Sequence, residues 1–188
     1  MLCFEQGATV HLREQTGRRA SDMPTSEGER IAESIRKNVE VMERLCSGVD
    51  EETASKKPAD RWSPKEIISH LCGREGIGML PAVRSFIEQD TPRLDLHPED
   101  PFFTGSRARM TFSGLLDTFG REYHQIADFV ADLSTEQLRR KAHVPAFKEA
   151  PMGEYPTLAG FLGVLAEHHL EFHINHMKEI LQALGVLR

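Results

Sequence analysis

The stretch AEHHLEFHINHMKEI, residues 166–180, holds four of the nine histidines of a 188-residue chain. Its apolar residues recur at helical spacing, and so do its imidazoles. At about 100° per residue, with His169 set at zero, His173 falls near about +40° and His176 near about −20°. Leu165, Phe172 and Ile180 lie within about 60° of the same line, whereas His168 points about 100° away. Three histidines therefore share the stripe that core residues occupy above and below them. An imidazole on an inward stripe needs a partner, because a buried polar group left without a hydrogen bond costs about 1–3 kcal/mol. The i, i+4 pair His169 and His173 presents two nitrogens to one point, a common way for a helix to hold a transition metal. Hydrogen-bonded core histidines are the competing explanation, although adjacent pairs ask for more partners than a core easily supplies.

This stretch lies in the last of four long helical segments, expected from about Thr157 to Leu184 and ended by Gly185. The first begins at TSEGERIAESIRKNVEVMERLCSG, where Thr25 or Ser26 caps a run of Ile31, Ile35, Val39, Met42 and Leu45, and Gly48 stops it. The second opens at WSPKEIISHL with Ser63 as N-cap, Pro64 in the first turn and Glu66 completing a capping box. It is expected to reach about Gln89, bent or interrupted at Gly76, Gly78 and Pro81. The third, TFSGLLDTFGREYHQIADFVADL, carries Leu116, Phe119, Tyr123, Ile126 and Val130 on one face, and a short capped helix follows from Ser134. Between the second and third, Asp90–Met110 reads as a long loop. Such loops are uncommon unless they cover something. The apolar pair Phe102–Phe103 predicts that this one packs over an end of the bundle and shapes a pocket mouth, against the alternative of a mobile excursion. Four helices with one long connection predict an all-α four-helix bundle.

The composition narrows the function. Charged residues make up 28% and hydrophobic residues 39%, which suits a globular domain. A net charge of −6 offers no basic footprint for nucleic acid. No apolar run approaches the roughly 20 residues that span a bilayer. Residues 1–24 have no apolar core of a signal peptide and read as a disordered N-terminal arm, leaving 25–188 as one bundle domain. Cys3, Cys46 and Cys72 are odd in number and unpatterned, which predicts a cytoplasmic location without disulfides. Cys72 lies about 200° around the helix from His70 and reads as a small buried hydrophobe.

A third ligand from another helix would complete a site, and His70 is the candidate, since it lies inside the second segment beside apolar neighbours. His11 falls in the arm, His97 in a proline-flanked loop, His143 after a basic turn, and His124 off the apolar stripe of its helix. Trp62 reads as packing the start of the second segment, and Glu75 and Glu167 as solvated groups.

RWSPKEIISHL together with HHLEFHINHMKEI resembles the DinB-like superfamily, and within it the YfiT-type metal-dependent hydrolases. The tryptophan, capped helix start and His-Leu of the second helix match Trp62, Ser63, His70 and Leu71, and the His-x-x-x-His of the last helix matches His169 and His173, with His176 three residues on. The resemblance covers roughly residues 25–185. It implies a four-helix bundle holding one divalent metal ion on His70, His169 and His173, with positions open for water or substrate. Zinc suits such imidazole ligation, with nickel or iron as alternatives. His176 is then expected to line the pocket and relay protons, against the alternative of a partly exposed residue with no role. The implied activity is hydrolysis or thiol S-transfer on a small molecule, with a low-molecular-weight thiol as one partner and a homodimer as the assembly. The rival reading is a non-catalytic, metal-stabilised interaction module.

Overall fold

The computed structural model describes residues 26–187. The expected disordered arm lies outside the described residues, as does Thr25. Ser26 caps the first helix, α1 (Glu27–Cys46), through a capping box with Glu29. Its buried face, Ala32, Ile35, Val39, Met42 and Cys46, follows helical spacing. The helix stops at Ser47, and Gly48 takes φ +85°, a conformation that glycine adopts without steric cost. A short helix the periodicity did not announce, α2 (Glu51–Ser55), follows with Asp50 as its cap.

The second segment is two helices. Ser63 and Glu66 close the capping box of α3 (Pro64–Leu71), with Pro64 in its first turn. Gly73, Gly76 and Gly78 then run at positive φ, and α4 (Leu80–Glu88) restarts with Pro81 in its first turn. The left-handed glycines therefore end α3 outright where a bend was one of two expected outcomes. The long loop contains a helical turn, α5 (Gly105–Arg109), capped by Thr104.

The third segment is α6 (Phe112–Ala131), whose buried face is Leu115, Phe119, Tyr123, Ile126 and Val130. Leu116, expected on that face, is only half-buried; its neighbour Leu115 takes the inward place. The capping box at Ser134 and Gln137 opens α7 (Thr135–Leu138). The last segment begins as α8 (Leu158–Gly163), widens into a π-helical turn over Val164–His169, and continues as α9 (Leu170–Ala183).

Packing α1 against α6 and α9, α3 against α6 and α9, and α4 against α6 and α8 gives a four-helix bundle. Gly28 shows how close α1 and α6 come: a Cβ there would meet the Val130 carbonyl oxygen at 2.5 Å. No strand occurs among the described residues, only isolated bridges such as Arg93 with His143. No described helix is long and apolar enough to cross a membrane.

Candidate metal centre

His70 occupies the last turn of α3, where the helix is about to end and its side chain points across to the last segment. His169 closes the π turn and His173 lies one turn further on. One ring nitrogen from each of His70, His169 and His173 lies within 4.8 Å of the others. The expected three thus converge, and no other group of this kind forms among the described residues. His70 Nε2 sits 2.9 Å from His169 Nε2. His70 and His173 are buried, and His169 is half-buried.

The tautomer of His70 follows from its other nitrogen. Nδ1 lies 2.7 Å from the Asp100 carbonyl oxygen. A carbonyl only accepts, so Nδ1–H donates and Nε2 keeps its lone pair, aimed at His169. Two nitrogens that share one ion through bonds of about 2.0–2.1 Å sit roughly 3 Å apart, so the pair suits a shared cation. A backbone carbonyl fixing the far nitrogen is the support metal-ligating histidines usually have. Among the described residues the Nδ1 atoms of His169 and His173 are buried with no hydrogen-bond partner.

The electrostatics keep the site neutral. Burial pulls His169 down to about 4, with the nearby His70 adding repulsion. Burial and then the neighbouring histidines pull His173 down to about 2. Burial also lowers His70, opposed by its bond to Asp100. Near neutral pH all three rings therefore carry free lone pairs, the state a cation needs.

Aromatic rings enclose the cluster. Trp62 lies parallel to His173 with centroids 6.2 Å apart, and 5.1 Å from His70. Phe102 stacks on the other side of His70 at 6.1 Å. Trp62 thus packs the start of α3, as expected, and also walls the histidines. The loop Asp90–Met110 does cover the site: it supplies the Asp100 carbonyl and the Phe102 ring, and its Leu96 and Pro98 line an adjoining cavity of about 610 Å³. His70 and His169 form part of that cavity wall, with Met79, Phe161 and Leu165.

His176 lies beside the cluster, half-buried, with its ring 5.9 Å from His173 and 6.2 Å from Trp62. Its pKa is lowered, first by burial and then by Arg61. Phe172, expected on the inward stripe, is 63% exposed. It sits at the margin of the stripe, about 60° from His169. His97 does reach the cavity wall, and His143 instead pairs with Glu154 and stacks on Tyr155. Cys72 is buried, and burial pushes its thiol up to about 12. Glu75 bonds to Thr104, and Glu167 is exposed. Asp100, Phe102 and the π turn were not found from sequence. A carbonyl contact has no residue signature, and the Phe102–Phe103 pair predicts only a covering loop.

The family model described as the DinB superfamily matches residues 34–177. The solved structure of YfiT from Bacillus subtilis, described as a probable metal-dependent hydrolase with an unusual four-helix bundle topology, aligns with a TM-score of 0.68 and 17% identity. The alignment covers 90% of this chain and 93% of that one. At that identity the likeness speaks for the fold. No curated protein matches the chain.

Proposed function

The chain belongs to the DinB superfamily, and we propose that it is a metal-dependent enzyme acting on a small molecule. His70, His169 and His173 hold one divalent ion in this reading, zinc first, with nickel or iron as alternatives. The observation that carries it is the convergence of three neutral imidazoles on the wall of a cavity of about 610 Å³. When bound, the ion supplies a Lewis acid able to bring the pKa of a water or a low-molecular-weight thiol to about 7. Hydrolysis and thiol transfer both follow from that one capacity.

The chain's own residues do the rest. Asp100 holds the His70 ring in the tautomer that leaves Nε2 free. Trp62 and Phe102 shield the imidazoles from bulk water, which strengthens every interaction inside. His176 stands between the cluster and the surface, where an imidazole can take a proton from the site and pass it outward.

The test has two arms. Metal analysis of tag-free wild type is expected to find about one divalent ion per chain, and the His169→Ala protein to lose it. Equal metal content in the two would end the three-histidine reading. Panels of esters and amides, and of low-molecular-weight thiols with an electrophilic acceptor, then separate the reactions in metal-loaded wild type and His173→Ala. Turnover on neither panel would favour the non-catalytic module.

A further inference from the structure

Two hollows meet beside the histidines. The inner one is the cavity of about 610 Å³, walled by Met79, Phe147, Phe161, Val164 and Leu165. The outer one, about 590 Å³, is lined by Arg74, Glu75, Asp100, Phe102, Phe103 and Thr104. Arg74 and Phe102 line both.

Phe102 is built into this boundary at a conformational cost. Its φ of +48° is left-handed, a state that costs a non-glycine residue about 1–3 kcal/mol unless its surroundings impose it. Here they do. Its N–H donates to Asp100 Oδ1 at 2.7 Å, and its carbonyl accepts from Ser69 Oγ at 3.1 Å and from the buried Arg107. The result lays an aromatic plate parallel to His70, where the two hollows join.

The carboxylates at the boundary remain charged but are each engaged within the protein, whereas among the described residues Arg74 is not. Asp95 pairs with Arg93 at 3.0 Å, Asp100 accepts the Phe102 N–H, and Glu75 accepts from Thr104. Arg74 is exposed, and among the described residues its guanidinium makes neither a hydrogen bond nor an ion pair. A guanidinium offers a planar fork of donors suited to an oxyanion.

We propose that the substrate is an amphiphilic anion. Its apolar body fills the inner cavity, an oxyanion headgroup is held by Arg74 at the outer hollow, and the reacting group lies between them at His70 and His169. The proposal rests on the metal-site reading above for its chemistry, but its binding geometry stands on the two hollows and Arg74.

The experiment is chosen to separate the two. Binding is read by isothermal titration calorimetry, which needs no reporter group in the cavity wall. Purified full-length protein is titrated, below micelle formation, with 1-octanesulfonate, 1-octanol and octylamine. Sulfonates are poor ligands for divalent ions, so the ranking does not depend on metal content, and the metal analysis of His169→Ala judges that reading alone. The sulfonate is expected to bind about tenfold tighter than the alcohol. Arg74→Gln removes that advantage while leaving octanol affinity within about twofold. Shortening the sulfonate chain weakens binding by roughly fourfold per methylene. Equal affinity of sulfonate and alcohol, preference for the amine, an advantage that survives Arg74→Gln, or no binding of any probe overturns the proposal.

Discussion

Among the described residues Tyr123 heads the wholly buried side chains by volume, and its hydroxyl has no hydrogen-bond partner there. Burial accordingly pushes its pKa up, since a phenolate there would be desolvated. The ring packs on Phe119 at 4.9 Å, so the side chain contributes as an aromatic hydrophobe while the oxygen detracts. Tyr123→Phe keeps the ring and removes the orphan, and is expected to raise unfolding free energy by about 1 kcal/mol. A lower melting temperature for the variant would mean that the hydroxyl is satisfied after all. His70 shows the other side of the same accounting: every polar atom of its ring has a facing group, Nδ1 on Asp100 and Nε2 on His169. The histidines were legible in the sequence because i, i+4 spacing on an apolar stripe is a geometric statement about side chains. The Asp100 contact was not, because it is made by a backbone atom that any residue would supply.

Two elements carry devices that periodicity could not announce. The π turn over Val164–His169 winds wider than an α-helix, which alters the backbone pairing and the facing of the residues that lead into His169. Asn38, buried on α1, donates to the Ala166 carbonyl at 2.7 Å, within that turn. Asn38→Ala leaves the buried carbonyl without this donor and is expected to cost about 1–3 kcal/mol, read by urea unfolding. A cost near zero would show the turn to be self-sufficient. The loop Asp90–Met110 depends on Arg107 in a similar way. Arg107 is 4% exposed, and its guanidinium donates to the Ser69 carbonyl at 2.6 Å, to Ser69 Oγ and to the Phe102 carbonyl. It therefore ties the loop to the residue next to His70. In Arg107→Met these carbonyls lose a charged donor, and limited proteolysis is expected to cut within residues 90–110 faster than in wild type, with weaker metal retention. Equal cutting rates would mean that Phe102 and Asp100 hold the loop unaided.

At the scale of the molecule, four amphipathic segments bury one face each, and that much of the bundle was readable from capping boxes and helical spacing. The breaks were less so: three left-handed glycines split the second segment, and Phe172, at the margin of the apolar stripe, turns outward. What the packing does to that face appears as acid sensitivity. Unfolded histidines titrate near about 6.5, whereas His169 is lowered to about 4 and His173 to about 2, with His70 and His176 also lowered. Between about pH 6.5 and 4 the unfolded chain takes up protons that the fold refuses, so unfolding free energy falls as pH falls through that window. Refusing a proton at pH 5 costs roughly 2 kcal/mol for each of His169 and His173. Glu122, which burial pushes up, acts in the opposite sense but is half-exposed and offsets little. The carboxylates with lowered pKa, Glu51 and Glu66 among them, keep their contribution until the pH drops below about 4.5. Chelator-treated protein is therefore expected to lose several kcal/mol between pH 7.5 and 5, measured as a falling urea midpoint at unchanged slope. A midpoint that holds steady over that range would show that the histidines take up protons in the folded state, and with that the neutral cluster on which the proposed metal binding depends would be gone.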